Sequence, residues 1–418
     1  MTRTERQQEA IKYWIKAKGK GTIEGCTGVG KTRIGLMTIK ALLKKYPQFR
    51  VLVVVPTVAL KEQWQVQLDD WEFTFNSEVQ VINTVIKHKW NCDLLIIDEC
   101  HRVNSNDFSQ IFSCVQYKLI LGLTATFERL DGKHIIMQKY CPIVDKISFM
   151  EALANGWVSD YKEYVVLIDV DNIDEYKEYN KEWMEHFEFF QFKFELAMSL
   201  IGKDGWKAML KLRDEMYKGN DPEVKKRVLQ NINYHSAGFI RTLTKRKAFI
   251  NNHPKKVEVA KKIIEARSNK KIITFSNNVK MAEAIGIGDV YTGRVSKKRS
   301  STIIEDFSRE SKGVLNTVKR ADEGIDIPGL SVAIILGTDS SETKARQRRG
   351  RIVRKEGNKI AEVFYIVIKD TIEEKWVKNS HKTDGNFITI DEKGLEQVLR
   401  GEQPEIYKKK TTEFMFRF

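Results

Sequence analysis

Apolar residues in this chain fall into short, nearly continuous runs, separated by segments in which they recur every three to four positions. VLVVVP (51–56), VQVINTV (79–85), DLLIIDE (93–99) and YKLILGLTAT (117–126) are rich in β-branched residues. Such runs predict strands buried on both faces of a parallel sheet. Between them KTRIGLMTIKALLKKY (31–46) has helical periodicity. The scheme repeats at KIITFS (271–276), GVLNTV (313–318), SVAIILG (331–337) and AEVFYIVI (361–368). Two α/β units in tandem predict a fold of two doubly wound domains with parallel sheets. The first spans 1–150 and the second 254–381, followed by a tail, 382–418, of weak periodicity.

Residues 151–253 read differently. A strand at VVLIDV (165–170) leads into a charged, aromatic stretch without glycine until Gly202, which predicts one helix. Further helices are expected at 204–218 and 222–231, with Gly219-Asn220-Asp221-Pro222 as the turn between them. The middle of the chain is therefore expected to be a linker strand and a helical insertion between the two α/β domains.

Composition narrows the class. Of the 418 residues 42% are hydrophobic, enough for buried cores, so a wholly disordered chain is excluded. No run of about 18 apolar residues exists to span a membrane as a helix. MTRTERQQEA has no apolar signal core, and the five cysteines include no CxxC pair; a reducing, cytoplasmic setting is expected, without a disulfide framework. The net charge is +15, which points to a polyanionic partner. Within the insertion, acidic residues dominate 160–195 and basic residues 196–271. Lys245, Arg246 and Lys247 are expected to track phosphates there. The insertion's aromatics, among them Trp183, Phe187, Phe190, Phe194 and Trp206, are mostly expected in its core, with one or two free to stack on a base.

The strongest chemical signal is Gly25-Cys26-Thr27-Gly28-Val29-Gly30-Lys31-Thr32, which satisfies GxxxxGK[ST] between a β-like segment and a helix. Its glycines let backbone N–H groups close on phosphate oxygens; Lys31 can neutralise the β- and γ-phosphates of ATP and Thr32 can ligate Mg²⁺. Asp98-Glu99-Cys100-His101 follows an apolar strand. One carboxylate, Asp98, can hold Mg²⁺ while Glu99 orients an attacking water. Gln347-Arg348-Arg349-Gly350-Arg351-Ile352-Val353-Arg354 reads by default as a surface charge run. Arg351 and Arg354 are nevertheless one helical turn apart and could stabilise a transferring γ-phosphoryl group.

The order of these motifs resembles a superfamily 2 helicase or translocase, over about 1–150 and 254–380. The resemblance implies two RecA-like domains sharing one ATP site. Gln7 resembles the Q motif that reads adenine, against the alternative of a capping box Thr4-x-x-Gln7. Gly25 to Thr32 is similar to motif I. Pro56 and Thr57, with Gln63 and Trp64, resemble motif Ia, which contacts the nucleic-acid backbone. Asp98 to His101 is similar to a DExH box, and Gly122 to Thr126 to motif III. Phe275 resembles motif IV. Thr317 with Gly324 and Asp326 is similar to motif V, and Gln347, Gly350, Arg351 and Arg354 fit motif VI. Gln347, Gly324 and Asp326 are thereby implied at the nucleotide, and Thr57, Thr84 and Thr317 along the nucleic-acid backbone. DECH together with GLTATFERLDG and QRRGRIVR is similar to the group that holds the XPB repair translocase and phage UvsW-type branch-migration helicases.

The expected function is an ATP- and Mg²⁺-dependent DNA helicase or translocase that binds forked or branched DNA without sequence preference, at a size that fits a phage or bacterial enzyme. The alternatives are an RNA helicase, a translocating restriction or nuclease subunit using Asp370, Glu373 and Lys375, and an inactive ATPase serving as a clamp.

Overall fold

The computed structural model describes residues 1–101, 108–125, 134–292, 297–318, 327–338, 348, 350, 352, 360–381 and 387–407. Among these, the first sheet has six strands: β1 (Lys20–Gly25), β2 (Val51–Val55), β3 (Ser77–Val81), β4 (Leu94–Asp98), β5 (Leu119–Thr124) and β6 (Ile143–Ile147). Their order is β3-β2-β4-β5-β1-β6 and every pairing is parallel. Strand β2 is buried along its whole length, as its continuous VLVVV run requires. Helices α1 (Arg3–Lys16), α2 (Lys31–Lys45) and α3 (Val58–Asp70) pack against this sheet with Ala10, Trp14, Ile34, Ile39, Trp64 and Leu68.

The second sheet has seven strands: β7 (Tyr161–Ile168), β8 (Lys271–Ser276), β9 (Asp289–Tyr291), β10 (Gly313–Val318), β11 (Val332–Ile335), β12 (Ala361–Ile368) and β13 (Ile388–Asp391). The order is β9-β10-β8-β11-β12-β7-β13, again parallel throughout. Strands β7 and β12 pair over their full lengths. Val165, Leu167, Val363 and Tyr365 enter one core; Tyr164, Val166, Phe364 and Ile366 enter the core on the opposite face. That alternation is what a sheet covered on both sides demands.

This sheet is wider than the segment 254–381. β7 joins it from the region expected to be a linker, and β13 joins it from the expected tail, followed by a helix at Glu392–Arg400. ITID is too short to carry a legible strand pattern, so its register comes from pairing with β7. The run VQVINTV also divides: extended pairing ends at Val81 and Ile82–Val85 form a helical turn.

The insertion contains α4 (Ile173–Phe189), α5 (Phe194–Ser199), α6 (Gly205–Met216) and α7 (Pro222–Asn252). The expected single helix from 174 to 202 is broken at 190–193. Gln191 and Phe192 take left-handed φ values of 52° and 58°, and the chain folds back so that Phe192 and Phe194 meet Phe187 edge-on. Ring packing here overrides helix propensity. The helix expected at 222–231 instead runs to Asn252. Asp221 caps it and Pro222 opens it; Ile232, Ser236, Phe239, Thr242, Arg246 and Ile250 continue its buried face. Pro254, with no N–H to donate, ends it and opens α8 (Pro254–Ala266). A further helix, α9 (Ile372–Ser380), follows β12. Among the described residues no helix is long and apolar enough to cross a membrane.

Candidate active site

The first sheet brings the two motif-bearing strand ends together. β1 ends at Gly25 and β4 at Asp98, and only β5 lies between them, so both open on the carboxyl edge of the sheet. The loop from Gly25 to Gly30 leads into α2, whose first turn has no side-chain cap and therefore offers its N–H groups to an anion. Gly28 and Gly30 have φ of 95° and 84°. A Cβ on Gly30 would lie 2.6 Å from Gln7 Nε2 and 2.9 Å from an Arg3 guanidinium nitrogen, so this position requires glycine on two counts. Lys31 Nζ donates to the Gly25 carbonyl at 3.2 Å. Thr27 and Thr32 are half-buried on the same loop and helix turn.

Gln7 is engaged on this loop. Its Nε2 donates to the Val29 carbonyl at 2.7 Å, its Oε1 accepts from Arg33 at 3.2 Å, and the residue is buried. Arg3 Nε donates to the same Val29 carbonyl at 3.1 Å. Gln7 thus braces the phosphate loop, and a side-chain amide with two donors and two lone pairs can do so and still meet a base, so the adenine-reading role stays an expectation. The capping-box alternative is corrected, because the box that opens α1 is Thr2 with Glu5. Neither Arg3 nor Arg33 belongs to a recognisable motif, and no sequence signal marked them.

Asp98 is buried, and burial first, then neighbouring Glu99, pushes its carboxyl up to about 6; Trp64, Lys31 and the Glu99 amide pull the other way. The Trp64 indole donates to Asp98 Oδ2 at 2.8 Å and the Glu99 amide to Oδ1 at 2.9 Å. Trp64 is 1% exposed, so the motif Ia expectation that it faces nucleic acid is corrected: it orients Asp98. Glu99 has a left-handed φ of 48°, a strained conformation for a side chain of this kind. Its carboxylate lies 3.3 Å from His101 Nδ1, and that ring nitrogen is 3.0 Å from Thr124 Oγ1 at the end of β5. The DECH box and the Thr124 segment therefore meet at the His101 ring.

The second sheet reaches the same place. A Cβ on Gly350 would lie 2.1 Å from Thr27 Cβ, so the glycine of QRRGRIVR sits directly on the phosphate loop more than 300 residues away in sequence. Arg348 is buried, donates to the Gly337 carbonyl at 3.0 Å and lies over the Phe275 ring. Gly324, Asp326, Gln347, Arg351 and Arg354 lie outside the described residues.

The expected nucleic-acid residues divide. Pro56 and Thr57 are half-buried where β2 ends, with Thr57 capping α3, and Thr84 is exposed on the turn after β3. Lys245 and Lys247 are exposed on α7. Three expectations are corrected. Phe275 is buried under Arg348. Thr317 is buried and donates its hydroxyl to the Thr274 carbonyl. Arg246 is buried with its guanidinium 4.2 Å from the Trp183 ring centroid, so it staples α7 to α4 and does not face solvent. Trp206 is 60% exposed, unlike Phe190 and Phe239, which fill the insertion's core. The nuclease trio also dissolves: Glu373 is fully buried in an ion pair with Lys256 at 2.6 Å.

Comparison with known proteins agrees with this geometry. Residues 1–90 and 82–129 match the family model for the type III restriction enzyme res subunit, and residues 255–356 match the helicase conserved C-terminal domain. The chain belongs to helicase superfamily 2. It is an ATP-hydrolysing enzyme of the helicase and translocase kind, with two RecA-like domains. The helicase is 28% identical over 390 residues to the DNA 3'-5' translocase XPB2 of Sulfurisphaera tokodaii, covering 87% of this chain and 81% of the relative. Its fold is similar to that of the Pyrococcus furiosus Hef helicase domain, with a TM-score of 0.53 and 20% identity, over 90% of this chain and 97% of that one. It is also similar to S. cerevisiae Dbp5 bound to RNA and ADP BeF3, with a TM-score of 0.60 and 12% identity, over 94% and 91%. At these identities the two structures speak to the fold alone.

Proposed function

We propose that this helicase is a DNA-stimulated motor that uses ATP to translocate on, or remodel, forked and branched DNA without reading its sequence. The observation that carries the reading is Gly350 seated on Thr27. An ATP site bordered by the phosphate loop on one lobe and the arginine segment on the other can tie nucleotide state to lobe closure. Lobe closure is what moves a polymer lying across both lobes.

Each residue has a definite task in this reading. Lys31 and the N–H groups of α2 bind the phosphates. Asp98 and the Thr32 hydroxyl are hard oxygen donors of the kind Mg²⁺ takes, and the buried setting of Asp98 beside the Glu99 carboxylate suits them to it. Mg²⁺ when bound would neutralise charge on the phosphates. Glu99 orients the attacking water and takes its proton, and its carboxylate lies beside the His101 ring, whose Nδ1 is paired with the Thr124 hydroxyl. Arg351 and Arg354 stabilise charge on the transferred phosphoryl group. Thr57 and Thr84 contact the strand on the first lobe, and Lys245 and Lys247 on the insertion add phosphate contacts. The DNA preference is supported by the likeness to the XPB2 DNA translocase.

The test is ATP turnover measured with single-stranded, duplex, forked and four-way DNA and with RNA. The reading expects the greatest stimulation from forked or four-way DNA. Equal or greater stimulation by RNA would move the helicase to the RNA alternative.

A further inference from the structure

One phenol oxygen joins the insertion to the second sheet. Tyr176, on the first turns of α4, is buried at 3% exposure. Its Oη accepts from the Ile372 backbone N–H at 3.1 Å, at the first residue of α9, and from Arg246 of α7 at 3.5 Å. The residue after Ile372 is Glu373, which the helicase buries completely. Glu373 Oε2 accepts from the Ile368 amide at 3.0 Å at the end of β12, and its Oε1 accepts from Lys256 Nζ and from the Thr338 hydroxyl. Lys256, fully buried on α8 just beyond the long insertion helix, also donates to the Leu336 carbonyl at 3.0 Å. Leu336 and Gly337 leave β11, and the Gly337 carbonyl accepts from Arg348, two residues before the Gly350 that rests on Thr27.

A fully buried ion pair is a costly way to hold a helix, since apolar packing of the same volume often does so as well or better. What such a pair supplies is a directional, all-or-none contact. Here it ties both ends of the insertion, through Tyr176 and through α8, to the strand end that carries the arginine segment.

We propose that Tyr176, Glu373 and Lys256 are positioning residues that transmit the seating of the helical insertion to the arginine segment of the ATP site, so that nucleic acid held by the insertion sets the rate of ATP turnover. This rests on the function proposed above. The insertion is then a sensor as well as a grip: a shift of α4 against α7 moves the oxygen that holds the start of α9, and α9 carries the carboxylate that fixes Leu336 to Thr338.

The experiment uses the whole 418-residue chain and two near-isosteric variants, Tyr176→Phe and Thr338→Val, with their double. Basal turnover, KM for ATP, forked-DNA affinity, melting temperature and the DNA-stimulated kcat are measured for each. The expected result is that each variant keeps its fold, basal turnover, KM and DNA affinity while its stimulation ratio falls roughly fivefold, the worth of one neutral hydrogen bond. The double variant falls no further than the lower single, because both act on one path. Wild-type stimulation in Tyr176→Phe, or losses that multiply in the double variant, would overturn the coupling. A parallel loss of basal turnover would overturn it too, by making the contacts merely structural. If no nucleic acid stimulates the wild-type helicase, the proposed function falls and the coupling with it; if it is stimulated and the variants match it, the coupling alone falls.

Discussion

Replacing Trp64 by Phe removes one hydrogen bond to the carboxylate proposed to hold Mg²⁺. The indole donates to Asp98 Oδ2 at 2.8 Å and opposes the burial that pushes this carboxyl up to about 6. A hydrogen bond to a charged acceptor is worth about 1.5–3 kcal/mol. At about 1.4 kcal/mol per pKa unit, its loss should lift Asp98 by roughly one to two further units. Protonated Asp98 cannot hold a cation, so activity falls as pH falls through this pKa. The profile of kcat/KM for ATP, at low and fixed Mg²⁺, should show an acid limb near 6 in the wild type and one at least a unit higher in Trp64→Phe. Raising Mg²⁺ should move both limbs down, since the cation competes with the proton. Stability has the opposite sign. A carboxyl whose folded pKa is raised contributes stability below its unfolded value, about 3.9, and loses it as pH rises through the folded value. The variant should therefore keep this contribution to a higher pH. A folded Trp64→Phe protein with an unmoved acid limb would refute the role given to the indole, and with it the burial argument for Asp98.

Gly350→Ala places a methyl group in the space of Thr27 and should lower kcat by roughly a hundredfold with the melting temperature unchanged; normal turnover would show that the lobes need not meet there. Glu99→Gln should bind ATP yet turn it over roughly 10²–10⁴ times more slowly, and should hold DNA more tightly with ATP than without, as read by filter binding. Normal hydrolysis would return Glu99 to a solvated carboxylate. Lys245→Ala with Lys247→Ala should reduce the salt dependence of DNA binding by about two units of log–log slope. An unchanged slope would make the exposed face of α7 a spacer.

The parts of the site that were legible in the sequence are those whose chemistry is local in the chain. A phosphate loop needs its glycines and lysine within eight residues, and a strand that ends in two carboxylates announces both. The long apolar strand runs of both sheets were legible because burial on two faces leaves few polar positions, whereas β6, β9 and β13 carry no such run. What escaped is tertiary. Trp64 reaches Asp98 across 34 residues, and nothing near it in sequence distinguishes it from a core tryptophan. Gln7 sits where the family pattern expects it, yet its partners Val29 and Arg33 come from the loop it braces. Phe275 and Thr317 were misjudged because a motif position fixes a place on the strand and not the face on which the side chain lies. Lys245, Arg246 and Lys247 read as one basic run, and helix geometry turns the middle one inward against Trp183. The broken helix at 190–193 was hidden because Gln191 and Phe192, which adopt the left-handed conformation, are not residues that announce it.

The central claim is that the site shared by Gly350 and Thr27 drives movement along DNA. Displacement of a third strand from a triplex on linear duplex DNA tests it most directly, comparing the wild-type helicase with Lys31→Ala. The account expects ATP-dependent displacement that lags in proportion to the distance between the loading site and the triplex. Lys31→Ala should bind the DNA as well as the wild type and displace nothing. Brisk DNA-stimulated ATP hydrolysis by the wild type with no displacement at any distance would contradict it.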